Sequence, residues 1–306
     1  MSEWPVWIDG QLLAAGSPAF AAEDLGLQLG LAVFETVLFE DGCLYFLGEH
    51  LERLAAGARA LDIPWPPPRD PRQGVMDFAG ALDGRDAALR PMLTRGVPGR
   101  GPTLAITARA LWKPPHPGVV LWISERSKHA AERLESVKST SRVRNALARE
   151  EAQAHGAYDA LLLTDEGDLS EGTISNVWIV SGSKLKTPAL SRGCLAGVMR
   201  GRLLADLRRD PPGFQVEEGR IERAELERAS EVFVTNSTGR VVPAIEVMGS
   251  VSGHPGPRAL PGAAGPVVTD LRRRVARFEA AERARAAAAG ELIGRAAAPR
   301  NPAPPR

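Results

Sequence analysis

Near its start the chain twice sets an Asp-Gly pair between two β-rich halves, Asp9-Gly10 in VWIDGQLLAA and Asp41-Gly42 in LAVFETVLFEDGCLYFL. A two-residue turn whose twist matches its strands needs residues that tolerate positive φ, and Asp-Gly supplies them, so both segments predict β-hairpins. The N-terminal half is thereby committed to antiparallel sheet. GEHLERLAAGARALDI then carries Leu51, Leu54 and Leu61 on one helical stripe, which the Pro-rich PWPPPRDP ends. After a second helical stretch come the strands ALRPMLTRG and TLAITARAL, joined by the Gly-rich turn GVPGRG, and then GVVLWISE. Residues 1–125 therefore read as a small α+β domain.

The polar stretch at 126–135 suits an interdomain linker. RNALAREEAQAHG is a helix with Ala and Leu on one face, and DALLLTDEGDLSEGTISNVWIVSGSKLKTP is at least three strands broken by Asp-Glu-Gly and Ser-Gly turns. A helix in GVMRGRLLADLRRD and two strands in SEVFVTNSTGRVVPAIEV follow, so residues 136–290 read as a larger α+β domain. The Arg- and Ala-rich stretch beyond them predicts a helix to about Leu292 whose arginines, alternating with Glu and Asp, form a solvated face. Residues 291–306 are expected to be a disordered Ala/Pro tail.

Composition excludes several function classes. A chain of 306 residues, 44% hydrophobic and 25% charged, is long enough for two domains with real cores. Its net charge of +1 gives no electrostatic reason to expect nucleic acid or membrane as partner. The two cysteines, Cys43 and Cys194, stand far apart and in no CxxC spacing, which fits a reducing cytoplasm and no thiolate metal site. MSEWPVWIDG has acidic and Trp residues where a signal peptide needs a basic region and an apolar core, and no apolar run approaches membrane-spanning length. None of the five histidines forms a ligand pair on one helix, so no metal is expected.

Lysine usage narrows the chemistry. Only five of the 38 basic residues are lysines, and a lysine whose pKa is depressed can form a Schiff base and shuttle protons, which the permanently charged guanidinium cannot. Lys184 and Lys186 sit on a polar hairpin, and Lys113 and Lys128 flank Pro- or charge-rich loops. Lys138, in LESVKSTSRV, follows an apolar residue and precedes small hydroxyl residues. Taken alone that context also suits a surface lysine, just as Glu171 in EGTISNVWIV suits a solvated charge beside a turn.

The order of motifs changes that reading. HLERL with Arg53, VKSTSRVRNALAREEA with Lys138, DALLLTDEGDLSEGTISNVWIV with Glu171, TPALSRGCLAGVMR and VFVTNSTGRVVP resemble, in sequence, spacing and order, the fold-type IV pyridoxal-phosphate enzymes. This class IV aminotransferase family includes aminodeoxychorismate lyase. The resemblance spans residues 5 to about 245 and implies a two-domain α+β fold like that of D-amino-acid aminotransferase, with pyridoxal 5′-phosphate in the interdomain cleft. It implies that Lys138 holds the cofactor and moves the substrate's α-proton, while Glu171 pairs with the pyridine nitrogen. Arg53, the backbone amides of Val198 and Met199 opening a helix, and Ser237 would hold the phosphate. Many aminotransferases of the group carry Thr where Met199 stands.

For the substrate the resemblance implies a small amine and no macromolecule. Thr36, in FETVLF, matches the lyases, whose proposed mechanism uses that hydroxyl. Val143 stands where branched-chain aminotransferases carry Tyr. TRGVPGRG, with Arg95 and Arg100, is similar to the loop of both lyases and D-amino-acid aminotransferases, and Arg100 is the candidate ligand of a substrate carboxylate. The favoured activity is cleavage of 4-amino-4-deoxychorismate to 4-aminobenzoate and pyruvate, a step of folate biosynthesis. The alternative is a D- or branched-chain amino-acid transaminase. A non-catalytic binding or scaffold protein of this fold is a third reading, against which the intact Lys138 and Glu171 argue. A homodimer is implied by the family alone.

Overall fold

A computed structural model describes residues 3–249 and 258–294. The chain forms two sheets. The first holds β1 (Val6–Ile8), β2 (Gln11–Leu13), β3 (Ala32–Phe34), β4 (Val37–Glu40), β5 (Cys43–Leu44), β6 (Ala87–Val97) and β7 (Gly101–Arg109) in the order β2-β1-β7-β6-β4-β5, with β3 also on β6. Every pairing in it is antiparallel. Both expected hairpins are present, and Asp9, Gly10, Asp41 and Gly42 all have positive φ as their turns require. Helices α1 (Leu25–Leu29), α2 (Leu47–Ala60) and α3 (Pro71–Gly80) belong to this half. Leu54 of α2 and Val75 and Phe78 of α3 are buried in one cluster with Phe39, Leu89 and Ile106 of the sheet.

The second sheet contains β8 (Val119–Ile123), β9 (Asp159–Leu163), β10 (Leu169–Gly172), β11 (Asn176–Ser181), β12 (Lys184–Pro188), β13 (Gln215–Gly219), β14 (Glu231–Asn236), β15 (Arg240–Gly249) and β16 (Arg258–Ala259). Its order is β10-β9-β8-β15-β14-β11-β12-β13, with β16 on β15. The connecting helices are α4 (Val143–Ala154), α5 (Val198–Arg209), α6 (Arg223–Arg228) and α7 (Pro266–Ala288). One face of the sheet buries Leu121, Leu161, Val177 and Val234 with Leu226 of α6. The other buries Trp178 and Phe233 with Leu203 and Leu207 of α5 and Leu271 and Phe278 of α7. That second cluster also takes in Leu38, Tyr45 and Phe46, so the two halves share apolar core.

Three boundaries differ from the sequence reading. In the sequence GVVLWISE reads as part of residues 1–125, but β8 pairs in parallel with β9 and β15 of the second sheet. The change of sheet therefore falls in the Pro-rich stretch between Arg109 and Val119, because a short apolar strand buried on both faces carries no mark of which sheet it joins. The expected linker at 126–135 is packed structure, with Lys128 bridged to Thr164. Most of the expected tail lies outside the described residues, but at its start the Ile293 N–H donates to the Gly42 carbonyl at 2.9 Å.

The arginines of α7 are not all on a solvated face. Arg274 is buried, with Nε 2.7 Å from Asp270 and Nη1 3.0 Å from Asp206 of α5. Glu279 receives Arg240 Nε at 2.8 Å. The alternating charges mark a helix whose buried side is held by ion pairs, a case that charge pattern alone does not separate from a wet surface.

Candidate active site

A cavity of about 760 Å³ opens where the two sheets meet, lined among others by Phe34, Thr36, Arg53, Lys138, Glu171 and Ser237. Sequence positions from 34 to 238 thus converge on one volume.

Lys138 follows a 3₁₀ turn, Arg133–Ser136, and is fixed by the backbone rather than by a helix. Its carbonyl accepts from the Phe34 N–H at 3.0 Å, the Thr140 N–H donates to the Ala32 carbonyl at 2.9 Å, and Ser139 bridges Val33. The lysine strand is in effect stitched to the free edge of β3. Its amine lies 4.8 Å from the Phe34 ring centroid and hydrogen-bonds to no described residue. The cavity leaves the side chain half-buried by surface, but protein surrounds it deeply, and this desolvation together with the Arg53 charge brings the amine down to about 7.

Glu171 is 2% exposed, and the solvated reading of it fails. A register irregularity between Leu169 and Glu171 in β10 re-aims the side chain into the cavity. One carboxylate oxygen receives Lys128 Nζ at 2.7 Å and the other the Leu195 N–H at 2.8 Å. Lys128, whose sequence context is that of a loop lysine, is 1% exposed and also donates to the Gly193 carbonyl at 2.5 Å. A charge-rich neighbourhood looked solvated because the partner, 43 residues away, was not visible in the local sequence. Asp159 was missed as well. Buried at the start of β9, it takes the Thr173 N–H at 3.0 Å, the Thr173 hydroxyl and the Ser175 hydroxyl at 2.6 Å, and so shapes the turn after Glu171.

Arg53 lines the cavity from α2, but its guanidinium fork is directed at Glu35, with Nε and Nη2 each 2.7 Å from the carboxylate, while Nη1 reaches the Ala196 carbonyl at 2.8 Å. Burial alone would raise Glu35; Arg53 and His50 outweigh it and hold the carboxyl at about 2. His50 Nδ1 lies 2.7 Å from Glu35, and its Nε2 is buried without a hydrogen-bond partner among the described residues. Along FET, Phe34 and Thr36 line the cavity while Glu35 points away to brace Arg53, the alternation expected of extended chain.

Val198 and Met199 begin α5, whose N-cap Gly197 offers no side-chain hydrogen bond, so the first amides of the helix remain for a ligand. A Cβ on Gly197 would come within 1.9 Å of Asn176 Oδ1, so only glycine lets the helix start so close to β11. Ser237 lies in the β14–β15 turn, where Asn236 Oδ1 accepts from the Gly239 N–H at 2.6 Å. Arg100 is not brought to the site: it is exposed in the β6–β7 turn and does not line the cavity of its own chain.

An amine near neutrality facing a braced carboxylate, beside free helix amides and an arginine, defines an enzyme that carries a phosphorylated carbonyl cofactor on a lysine. The chain belongs to the amino-transferase class IV family, whose model matches residues 32–247. It is similar to D-alanine aminotransferase of Bacillus licheniformis, 28% identical over 82% of this chain and 92% of that protein. Aminodeoxychorismate lyase of Bacillus subtilis is also 28% identical, over 81% of this chain and 90% of that one. Among solved structures, branched-chain aminotransferase from Thermoproteus uzoniensis, with norvaline, superposes at a TM-score of 0.79 with 25% identity, covering 91% of this chain and 95% of that one.

The protein is thus a pyridoxal-phosphate-dependent aminotransferase or lyase acting on a small amino substrate. The site fits that cofactor, because the unbonded Lys138 amine and the uncapped α5 amides are groups that lack partners among the described residues. When bound, the cofactor supplies an electron-accepting ring conjugated to the substrate amine. Glu171 can still accept from a ring N–H, since each of its oxygens has a second lone pair. Lys128 keeps that carboxylate oriented. Lys138, with an amine near 7, can hold or release a proton at neutral pH. Among the described residues no helix is long and apolar enough to cross a membrane, and no His, Cys, Asp or Glu cluster suits a metal.

Proposed function

We propose that this enzyme is a 4-amino-4-deoxychorismate lyase, releasing 4-aminobenzoate and pyruvate in folate biosynthesis. The observation that carries the reading is Thr36: the residue lines the cavity that Lys138 also lines, and its hydroxyl makes no hydrogen bond with any described residue. It therefore remains available to a substrate. In the proposed reaction the Lys138 amine takes the proton from the carbon bearing the amino group. The C–O bond to the enolpyruvyl unit then breaks, the ring becomes aromatic, and the departing group takes up a proton with the help of Thr36. Lys138 carries the cofactor, Glu171 pairs with its ring nitrogen, and Arg53, the Val198 and Met199 amides and Ser237 receive its phosphate.

A second reading, transamination of a D- or branched-chain amino acid, is favoured by the similar identity to D-alanine aminotransferase. There Lys138 moves the proton between two carbons and Thr36 has no chemical task. We further propose a homodimer, supported by the exposed apolar side chains of Leu27, Leu29 and Val143 on either side of the Gly30–Ser141 contact. A cytoplasmic location fits the two buried free cysteines.

The test is a product assay of purified enzyme with aminodeoxychorismate beside a panel of L- and D-amino acids. The lyase reading expects 4-aminobenzoate, and a loss of roughly 10²-fold or more in turnover for Thr36→Val with cofactor loading preserved. Conversion of the cofactor to its amine form by an amino acid, with no 4-aminobenzoate and no effect of Thr36→Val beyond packing, makes the enzyme a transaminase.

A further inference from the structure

Every second residue of the strand that follows FET is turned toward the other half of the molecule. Thr36 lines the cavity, Leu38 is buried in the core that the two halves share, and Glu40 meets Arg240 across the seam. Val37 and Phe39 between them are buried in the core of the first half, the alternation of an extended chain. Arg240 answers from the opposite side. It opens β15 directly after the turn at residues 237–239, and the next residue, Val241, is buried in the same shared core as Leu38.

Both ends of the Arg240 fork are engaged. Nε lies 2.8 Å from Glu279 of α7, and Nη2 donates to Glu40. Burial raises the Glu279 carboxyl, Arg240 draws it back, and the Glu40 charge adds to the rise. One guanidinium thus joins two acids that otherwise repel each other, which a lysine point charge has no second edge to do. The backbone is constrained as well. Arg240 has a φ of 60°, in the left-handed region that suits glycine, although the adjacent Gly239 does not adopt it. A residue with a side chain keeps that conformation only where its surroundings fix it. Asn236 braces the turn from within, its Oδ1 accepting from the Thr238 N–H at 3.2 Å and from the Gly239 N–H, while the Ser237 hydroxyl bonds to no described residue.

We propose that Arg240 is a positioning residue that ties the turn bearing Ser237 to the strand bearing Thr36, and so fixes where the cofactor phosphate sits relative to the group offered to the substrate. This rests on the reading that the turn receives the phosphate. Neither Arg240 nor Glu40 lines the cavity, so both act through the elements they join. Arg53 and Thr36 come from one half, Ser237 and the α5 amides from the other, and a phosphate gripped by both halves senses their separation. A ligand without the phosphate does not.

Full-length enzyme freed of cofactor is titrated with pyridoxal phosphate and with pyridoxal, read by the absorbance each gains on binding. Glu40→Ala leaves Arg240 its pair with Glu279 and cuts only the tie between the halves. Arg240→Gly keeps the left-handed backbone and removes the guanidinium. Each is expected to weaken pyridoxal phosphate by about tenfold or more and pyridoxal by less than about threefold, since small displacements of a binding group are costly. The double variant should bind no more weakly than Arg240→Gly. Equal losses for the two ligands in Glu40→Ala, or no loss, make the tie structural alone and overturn the proposal, and this variant decides even if Arg240→Gly does not fold. Ser237→Ala tests the underlying reading separately. If it leaves pyridoxal phosphate affinity unchanged while Glu40→Ala weakens it selectively, the positioning stands and the Ser237 hydroxyl loses its phosphate role.

Discussion

Lys128 and Lys138 are separated by ten positions and meet the same cavity, Lys138 by lining it and Lys128 through Glu171, yet their surroundings differ sharply. Lys128 is closed in at 1% exposure with Glu171, the Gly193 carbonyl and the Glu135 carbonyl around its ammonium. Lys138 faces the cavity with an aromatic ring and no acceptor, and burial with the Arg53 charge lowers its amine to about 7. A buried lysine given acceptors becomes a brace, while one denied them becomes a base. Burial alone does not distinguish the two. What separates them is whether the chain itself supplies the counter-charge.

The comparison breaks first at Lys138. Lys138→Met is expected to abolish turnover by roughly 10⁴-fold or more, as removal of a covalent catalyst does, while Tm stays near that of the parent. Borohydride-treated parent enzyme should carry pyridoxyl on Lys138 by mass spectrometry, and label on Lys128 instead would reverse the two roles. Lys128→Met is the converse. It leaves Glu171 buried without its cation, which costs about 3–5 kcal/mol, or roughly 10 °C in Tm for a chain of this size. The loss should be smaller once cofactor is bound, since the ring nitrogen then offers Glu171 a second partner; equal losses in both forms would mean that Glu171 does not meet the ring.

Glu171→Gln comes next. With the carboxylate charge gone, proton abstraction is expected to slow by about 10²–10³-fold, the range seen when one preorganised electrostatic group is deleted, with cofactor affinity falling less. Wild-type turnover in that variant would assign Glu171 to structure alone. The smallest effect is one of pH. With its amine at about 7, the neutral fraction of Lys138 rises roughly tenfold between pH 6 and pH 8, so cofactor loading of apoenzyme should rise across that range and then level. The same lowering means that folded protein binds fewer protons than unfolded chain between pH 7 and 10.5, so this group's contribution to apoenzyme stability improves as pH rises through that window. Loading that increases only above pH 9 would show an amine that is not desolvated.

Local sequence carried the elements well where the chemistry is local. Asp41-Gly42 had to be a turn, and Leu54 had to face a core. The family motifs brought Lys138, Glu171, Arg53 and Ser237 forward, and the fold gathers all four on one cavity. The same reasoning misassigned β8, because an apolar strand pairs as well with one sheet as with another until its neighbours are known. It also passed over Asp159 and Lys128, whose partners lie 14 and 43 residues away.

By itself the sequence determined two hairpins, an α+β architecture, a scarce lysine in the right company and the family. Those follow from interactions between residues close in the chain, or from motifs whose order survives without coordinates. Only the tertiary structure decided which lysine keeps a partner, that Arg53 spends its fork on Glu35, and that Arg240 joins Glu40 and Glu279 across the seam. The reason is that pairing and desolvation depend on distance in space, and a charge reads the same in sequence whether its counter-charge is beside it or absent.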